Sequence, residues 1–233
     1  MKKRILLGFT LLVVLVLSLG ACGILQAPEE ASAPLEVIPV DTGSAAEGET
    51  AVSANGVTVF TITPGSAQAR FELDEDLRGS RITVVGTTDQ VAGEIATSLS
   101  NLADTKVGVI QVNARTLATD NNFRNRALSN EILDTGAYEY ITFTPTAVNG
   151  LPDSVNVGDS VEFTVDGDLT IREATNPVTF AVRVTAVSPT QLQGTASATV
   201  TRSDYGLNIP SVPNVANVEE EVELYIDFTA NAS

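Results

Sequence analysis

No histidine occurs anywhere in the 233 residues. That absence removes Ser-His-Asp and Cys-His catalysis, imidazole metal sites and histidine proton shuttles together. Cysteine is almost as scarce: Cys22 is the only one, so the chain has no intramolecular disulfide and no thiolate cluster. Its core must stabilise it unaided. An enzyme built from this sequence would have to work with carboxylates, Lys, Tyr or Arg, and no cofactor or metal is expected. Cations are few as well, 13 Lys and Arg against 29 Asp and Glu. Nucleic acid is therefore not an expected partner, because its binding rests on basic residues neutralising phosphates. A docking patch for anionic lipid is disfavoured for the same reason.

The N-terminus is the exception to this polarity. After MKKR, residues 5–21 read ILLGFTLLVVLVLSLGA, with no charge and only Thr10 and Ser18 polar. This is the charged start and apolar middle of a signal peptide. It is short of the roughly 20 apolar residues that a spanning helix needs. It closes on Leu19-Gly20-Ala21-Cys22, which resembles the bacterial lipobox, in which a cysteine receives diacylglycerol and becomes the mature N-terminus. Residues 1–21 are accordingly expected to be a lipoprotein signal peptide and Cys22 the site of lipid attachment. The other reading is an uncleaved anchor helix with Cys22 a small buried hydrophobe. Cleavage would remove three of the 13 basic residues and none of the 29 acidic ones, leaving a net charge of −19. Residues 22–55, rich in Ala, Pro, Ser, Gly and Glu and free of Lys and Arg, cannot bury enough apolar surface to fold alone. They are expected to form a flexible tether with an end-to-end distance on the order of 30 Å.

From Gly56 the hydrophobic period becomes two. GVTVFTI, AQARFEL, SVEFTVDG, DLTI, PVTFAVRVTAV, GTASATVT and EEVELYIDF alternate apolar residues with Thr, Ser, Glu, Asp or Arg, the pattern of half-buried strands. Thr63-Pro64-Gly65-Ser66, Asn149-Gly150, Val165-Asp166-Gly167-Asp168, Asn176-Pro177 and Ser188-Pro189 supply turn signals between them. An antiparallel sheet with one wet face follows, as a sandwich or a barrel over residues 56–230. One helix interrupts it: Thr119-Asp120-Asn121-Asn122 is a capped start, Phe123, Ala127, Leu128, Ile132 and Leu133 recur at helical spacing, and Asp134-Thr135-Gly136 ends it. The helix is placed across one end of the sheet, as a plug or as a gate.

Two acidic clusters, Asp74-Glu75-Asp76 and Asp166-Gly167-Asp168, carry the residue types for acid-base work or calcium. Neither has the spacing of a calcium loop, and both read first as solvated turns. Lys106 reads as an edge residue that blunts sheet pairing. Arg124 and Arg126 could meet a polar head group at the mouth of a barrel, or pair on the surface with Asp120 or Glu131. The alternating apolar residues would line the interior: Ala69, Phe71 and Leu73; Val161, Phe163 and Val165; Leu169 and Ile171; Val178, Phe180, Val182 and Val184; Ala196, Ala198 and Val200; Val222, Leu224, Ile226 and Phe228. A closed barrel of about eight strands either fills with side chains or holds one small ligand. The small Ala196 and Ala198 would leave space unless Phe163 or Phe180 fills it.

The order of several motifs is that of a known family. Thr116-Leu117-x-Thr119, the helix FRNRALSNEIL, Tyr138-x-Tyr140-Ile141-x-Phe143, Gly167-Asp168-Leu169-Thr170-Ile171-Arg172 with Pro177-Val178-Thr179 after it, and Arg202-Ser203-Asp204-Tyr205-Gly206-Leu207 together resemble the YceI-like family. The resemblance implies an all-β fold, an extended antiparallel lipocalin-like β-barrel with one short helix across an end. It also implies a secreted or periplasmic protein that binds a polyisoprenoid in its lumen and is linked to isoprenoid-quinone handling or stress. On that basis Phe71, Phe163, Val165, Leu169, Ile171, Phe180, Val182, Ala196, Ala198, Leu224 and Ile226 become the expected ligand lining, and Arg124, Arg126, Arg202 and Tyr205 the mouth. Three departures put a head-group site in question: SAQARFELDEDLRG in place of a first strand with histidine and aromatics, Glu173 where a small residue is common, and Asn125 where an acid often follows the helix arginine.

Three functions are compatible with these features. The first is a lipid-anchored, extracytoplasmic protein of the cell envelope that binds an isoprenoid or another long apolar molecule and meets the membrane only through its N-terminal lipid. The second is a filled barrel or sandwich that presents an acidic surface to a protein partner, and nothing in the sequence excludes a homodimer. The third is a hydrolase that uses Asp74, Asp76, Asp166 or Asp168.

Overall fold

A computed structural model describes residues 26–41 and 56–232. The expected signal peptide, Cys22 with residues 23–25, residues 42–55 of the spacer and Ser233 lie outside the described residues. The strands are β1 (Thr58–Ile62), β2 (Ala67–Leu77), β3 (Ser80–Thr88), β4 (Val91–Ser98), β5 (Asn101–Val107), β6 (Ile110–Asn113), β7 (Tyr140–Asn149), β8 (Ser160–Ile171), β9 (Ala174–Ser188), β10 (Gln191–Thr201), β11 (Val215–Ala216) and β12 (Glu221–Ala232). Every pairing among them is antiparallel. Eight close a barrel in the order β1-β4-β6-β7-β8-β9-β10-β12 and back to β1, which leaves no free edge around the ring.

Two of the staves are broken. β1 and β2 are one long strand interrupted at Thr63–Ser66, and both pair with β12, β2 at Glu223–Phe228 and β1 at Asn231–Ala232. β3 and β4 are the matching stave, broken at Asp89-Gln90; Gly65 N–H donates to Asp89 O across the two breaks. The β2–β3 half extends the wall beyond the closed ring, and its hairpin turns at Arg78 (φ 53°) and Gly79 (φ 80°), the left-handed pair a tight two-residue hairpin needs.

The turn signals at Asp166-Gly167-Asp168 and Asn176-Pro177 do not break the chain. β8 runs unbroken through the first and β9 through the second. Gly167 is an interior strand residue because the Phe143 ring lies over it: an added Cβ would meet Phe143 Cζ at 2.5 Å. Pro177 is tolerated because β10 pairs β9 only over Ala181–Ser188, so the proline sits where β9 has a partner on one side alone. Asp166 points outward, where it accepts from Thr179 Oγ1 at 2.5 Å and Asn149 Nδ2 at 2.9 Å.

Helix α1 (Asn122–Ala127) begins at Asn121, whose Oδ1 accepts from the N–H groups of Phe123 and Arg124. A π-helical turn, Leu128–Ile132, continues it, and Asp134 (φ 47°) ends it. Ala127, Leu128, Ile132 and Leu133 are buried, so the apolar face read from the sequence packs onto the barrel end. Phe123, at 67% exposure, does not.

Residues 26–41, part of the expected flexible tether, lie along the outside of the barrel. Arg115, on the turn after β6, holds this strap: its guanidinium reaches Glu29 Oε2 (3.0 Å), Glu30 O (3.1 Å), Ser32 Oγ (2.8 Å) and Glu139 Oε2 (3.1 Å). Glu139 accepts from the Ser32 backbone N–H at 2.8 Å, from the Ser32 hydroxyl, and from Asn113 Nδ2 at 3.0 Å. Burial raises the Glu139 pKa, but the bonds from Ser32 and Asn113 and the Arg115 charge outweigh it and hold the carboxyl below its ordinary value. Leu35 is buried, Asn130 Nδ2 donates to Gln26 O, Val40 N–H donates to Glu94, and Lys106 Nζ donates to Asp41 O. Lys106 is exposed on β5, which pairs only with β4, and its bond to Asp41 O also ties it to the strap. Composition alone could not show this, because the partners lie more than 50 residues away in sequence.

Candidate functional site

The barrel is packed at one end and hollow at the other. Phe60, Ile62, Val91, Leu192, Ala186 and Ala230 fill the end that carries the β9–β10 turn, and the Phe143 and Phe180 rings meet edge to face at 4.8 Å nearer the middle. Above them, under α1 and the segment 207–218, is a cavity of about 430 Å³. Native interiors rarely keep voids larger than a water molecule, so this volume is not a packing defect. It falls in the usual range for small-molecule pockets, about 300–1,000 Å³.

Of the 26 residues around it, 22 present hydrocarbon; the polar ones are Glu75, Asn121, Arg124 and Arg202. The floor and walls come from Phe71, Leu73 and Leu77 of β2, Val84 of β3, Ile141 of β7, Ile171 of β8, Val200 of β10 and Val222 and Leu224 of β12. The roof is the buried face of the helix with Leu207, Ile209, Pro210, Val212 and Pro213. Glycine shapes the wall at one place. The Phe71 ring rests on Gly86, its partner on β3, where an added Cβ would stand 2.2 Å from Phe71 Cε1.

Glu75 is the polar residue that the sequence reading placed wrongly. Asp74-Glu75-Asp76 is not a solvated turn but the interior of β2. Alternation puts Glu75 on the same face as Ala69, Phe71 and Leu73, so its side chain enters the cavity wall while Asp74 and Asp76 point out to Arg81. Glu75 is 6% exposed. Arg124 meets it from the helix, with Nη2 at 3.0 Å from Glu75 Oε1 and Nη1 at 2.7 Å from the exposed Asp120. The period-two phase from Ala69 was the signal that could have found Glu75.

The other expected site residues divide between cavity and core. Phe71, Ile171 and Leu224 stand in the cavity wall. Val165, Leu169, Phe180 and Val182 are buried in the packed core, and Phe163, Ala196, Ala198 and Ile226 pack against it. Ala196 and Ala198 face Ile226 and Leu224 across the β10–β12 pair, whose larger side chains take up space the alanines leave. At the mouth, Arg124 lines the cavity and Arg126 lies 6.0 Å from the Phe123 ring centre. Arg202 lines it too and clamps the roof segment, donating to Glu219 O at 2.9 Å and Leu207 O at 3.0 Å and pairing with Glu220. Tyr205 is buried beneath this clamp, and burial, with the neighbouring Asp204 charge, pushes its hydroxyl up to about 12. Among the described residues no three His, Cys, Asp or Glu side chains converge on a metal-sized site.

The family model of the YceI-like domain matches residues 60–230, the whole barrel from β1 to β12. The chain belongs to the YceI-like family. Solved structures share the YceI-like barrel at low sequence identity. A polyisoprenoid binding domain from Saccharophagus degradans, implicated in plant cell wall breakdown, superposes with a TM-score of 0.59 at 13% identity, covering 76% of this chain and 99% of that one. BcnA of Burkholderia cenocepacia gives 0.58 at 14% identity, with 73% and 99% covered. The YCEI protein of Campylobacter jejuni gives 0.51 at 16%, with 64% and 84% covered. No curated protein matches the sequence. At such identities the shared property is the YceI-like fold, and the residues of the cavity must speak for themselves.

Proposed function

We propose that this YceI-like barrel is a lipid-anchored, extracytoplasmic binding protein that holds the chain of an isoprenoid or similar long apolar molecule in its cavity. The observation that carries the reading is the cavity itself: about 430 Å³, walled by hydrocarbon, at the end of a barrel that is otherwise densely packed. An empty cavity of this size would destabilise a sealed core by about 10 kcal/mol at roughly 24 cal/mol per Å³. Burying about 400 Å² of prenyl surface would contribute a similar gross amount, about 10 kcal/mol before ordering costs. A filled interaction module would have no use for the volume.

The paired Glu75 and Arg124 give the cavity one polar pole. Arg124 retains donor capacity beyond its two carboxylate partners, so a carbonyl or hydroxyl at the head of the guest can accept from it while the tail lies against Phe71, Ile171 and Leu224. The residues act by binding and orientation, and no catalytic role is assigned. Lipid attachment at Cys22, after removal of residues 1–21, would place the barrel in the cell envelope, outside the cytoplasm.

The test uses the chain with Cys22→Ser behind an ordinary cleavable secretion leader, purified from the soluble extracytoplasmic fraction. Native mass spectrometry should show one bound lipid, released by organic extraction, and Val200→Phe, whose larger side chain would take up part of the cavity, should reduce its occupancy with folding intact. A barrel that repeatedly carries no lipid and takes up none from polyprenol or quinone micelles would refute the proposal.

A further inference from the structure

We infer that the cavity mouth faces, and touches, the bilayer in which the protein is anchored, and that the docked strap sets this orientation. The inference rests on the lipid attachment at Cys22 proposed above. As a free spacer, residues 23–55 would let the barrel wander on the order of 30 Å from the membrane. The strap cancels most of that length. Its first described residue, Gln26, is bonded through its carbonyl to Asn130 on the π-helical turn, 2.9 Å away. That turn belongs to the helical segment that roofs the cavity, which Leu128 and Ile132 line from the same turn. Only three residues, Gly23, Ile24 and Leu25, separate Cys22 from Gln26, and the four Cα–Cα steps reach at most about 14 Å. The chain then leads away from the mouth, past Arg115 and Glu139 to Glu94 and Lys106.

The surface that this leash brings to the membrane suits it. Phe123, the most exposed large hydrophobic residue described, lines the cavity at 67% exposure, as do Val212 and Pro213 of the roof. An exposed aromatic at the lip of an apolar cavity has little reason to face water, and it matches the boundary between head groups and acyl chains. The net charge offers no electrostatic attraction, so the partner is the uncharged apolar zone of the membrane, reached because the anchor is short. A guest could then pass between bilayer and cavity without crossing water.

The chain has no tryptophan, so Phe123→Trp places a single reporter at the mouth and Thr190→Trp one at the β9–β10 turn, at the opposite end of the barrel. The acylated full-length protein is reconstituted in phosphatidylcholine vesicles with or without brominated acyl chains, and mass spectrometry establishes the acyl group. Emission from the mouth reporter should fall about twofold with brominated lipid, as a ring lying about 5–10 Å into the interface would, while the distal reporter stays unchanged. Inserting twenty Gly/Ser residues between Leu25 and Gln26 leaves the fold alone and lengthens the leash to on the order of 27 Å; it should abolish the quenching. Equal quenching at both reporters of an acylated protein, or none at either, overturns the orientation and leaves lipid attachment standing. Persistence of quenching after the insertion overturns the role of the strap. An unmodified Cys22 overturns both readings.

Discussion

Replacing Arg124 by Met should uncover what the Glu75 pair contributes. The substitution keeps most of the side-chain volume and removes the cation paired with a carboxylate that is 6% exposed in a hydrocarbon wall. Breaking a buried pair from one side costs about 3–5 kcal/mol, because the remaining charge stays desolvated. Arg124 is 20% exposed, which places the expected loss at the low end, about 3 kcal/mol. The Asp120 contact adds little, since that carboxylate is 90% exposed and such pairs contribute about 0–1 kcal/mol. For a domain of this size Tm should fall by about 6–12 °C. Glu75→Leu should cost less, about 1–2 kcal/mol, because Arg124 keeps Asp120 and can turn toward water. The double variant should recover to within about 1 kcal/mol of the parent, for a coupling of about 3 kcal/mol. Urea unfolding followed by circular dichroism on delipidated protein measures all four corners of the cycle; bound lipid would mask the differences by mass action. Single losses below about 1 kcal/mol that simply add would refute the reasoning, since they would mean that water reaches Glu75.

Other outcomes follow from neighbouring features. Gly86→Ala should drive the Phe71 ring off its seat and into the cavity, costing about 1–3 kcal/mol and reducing lipid retention in native mass spectrometry; unchanged retention with an unmoved ring would contradict the seating of that ring on Gly86. Because the folded state lowers the Glu139 pKa, its contribution is fully present above the ordinary carboxyl value of 4.5 and is lost as pH falls through the lowered one. Hydrogen exchange at the Ser32 amide should therefore accelerate below that pH, and Glu139→Gln should abolish the dependence; protection that is flat throughout would show that the carboxylate does not hold the strap. Metabolic labelling with a radioactive fatty acid should mark the parent protein and not Cys22→Ser, and labelling of both would remove Cys22 as the attachment point.

Period-two alternation was enough to establish an antiparallel sheet, and the Asn121 cap with the spacing of Ala127, Leu128, Ile132 and Leu133 was enough to place a helix. Local chemistry decides such features, so local sequence reveals them. The strands between Ser80 and Asn113 were not legible. β4 reads VAGEIATS and is buried on nearly both faces, because the strap covers its outer side through Val40 and Glu94, and a strand covered on both faces loses its alternation. The supposed turns at Gly167 and Pro177 misled for a related reason: a glycine under a neighbour's ring and a proline at a half-paired stretch look locally like breaks.

What the sequence by itself determined was the set of chemistries open to the protein: no histidine, no second cysteine, an acid excess, an apolar alternate face and a lipobox-like leader. Tertiary structure alone decided where the barrel is filled and where it is hollow. Phe163, Val165, Leu169, Phe180 and Val182 face inward as surely as Phe71, Ile171 and Leu224 do, and periodicity cannot separate them. Which inward residues meet one another, and which meet a void, depends on register and on rings from strands far apart in sequence. The same holds for Glu75, an acid among acids until the phase of β2 and the helix bearing Arg124 bring the two together, and for the strap, whose partners on the barrel no local pattern could name.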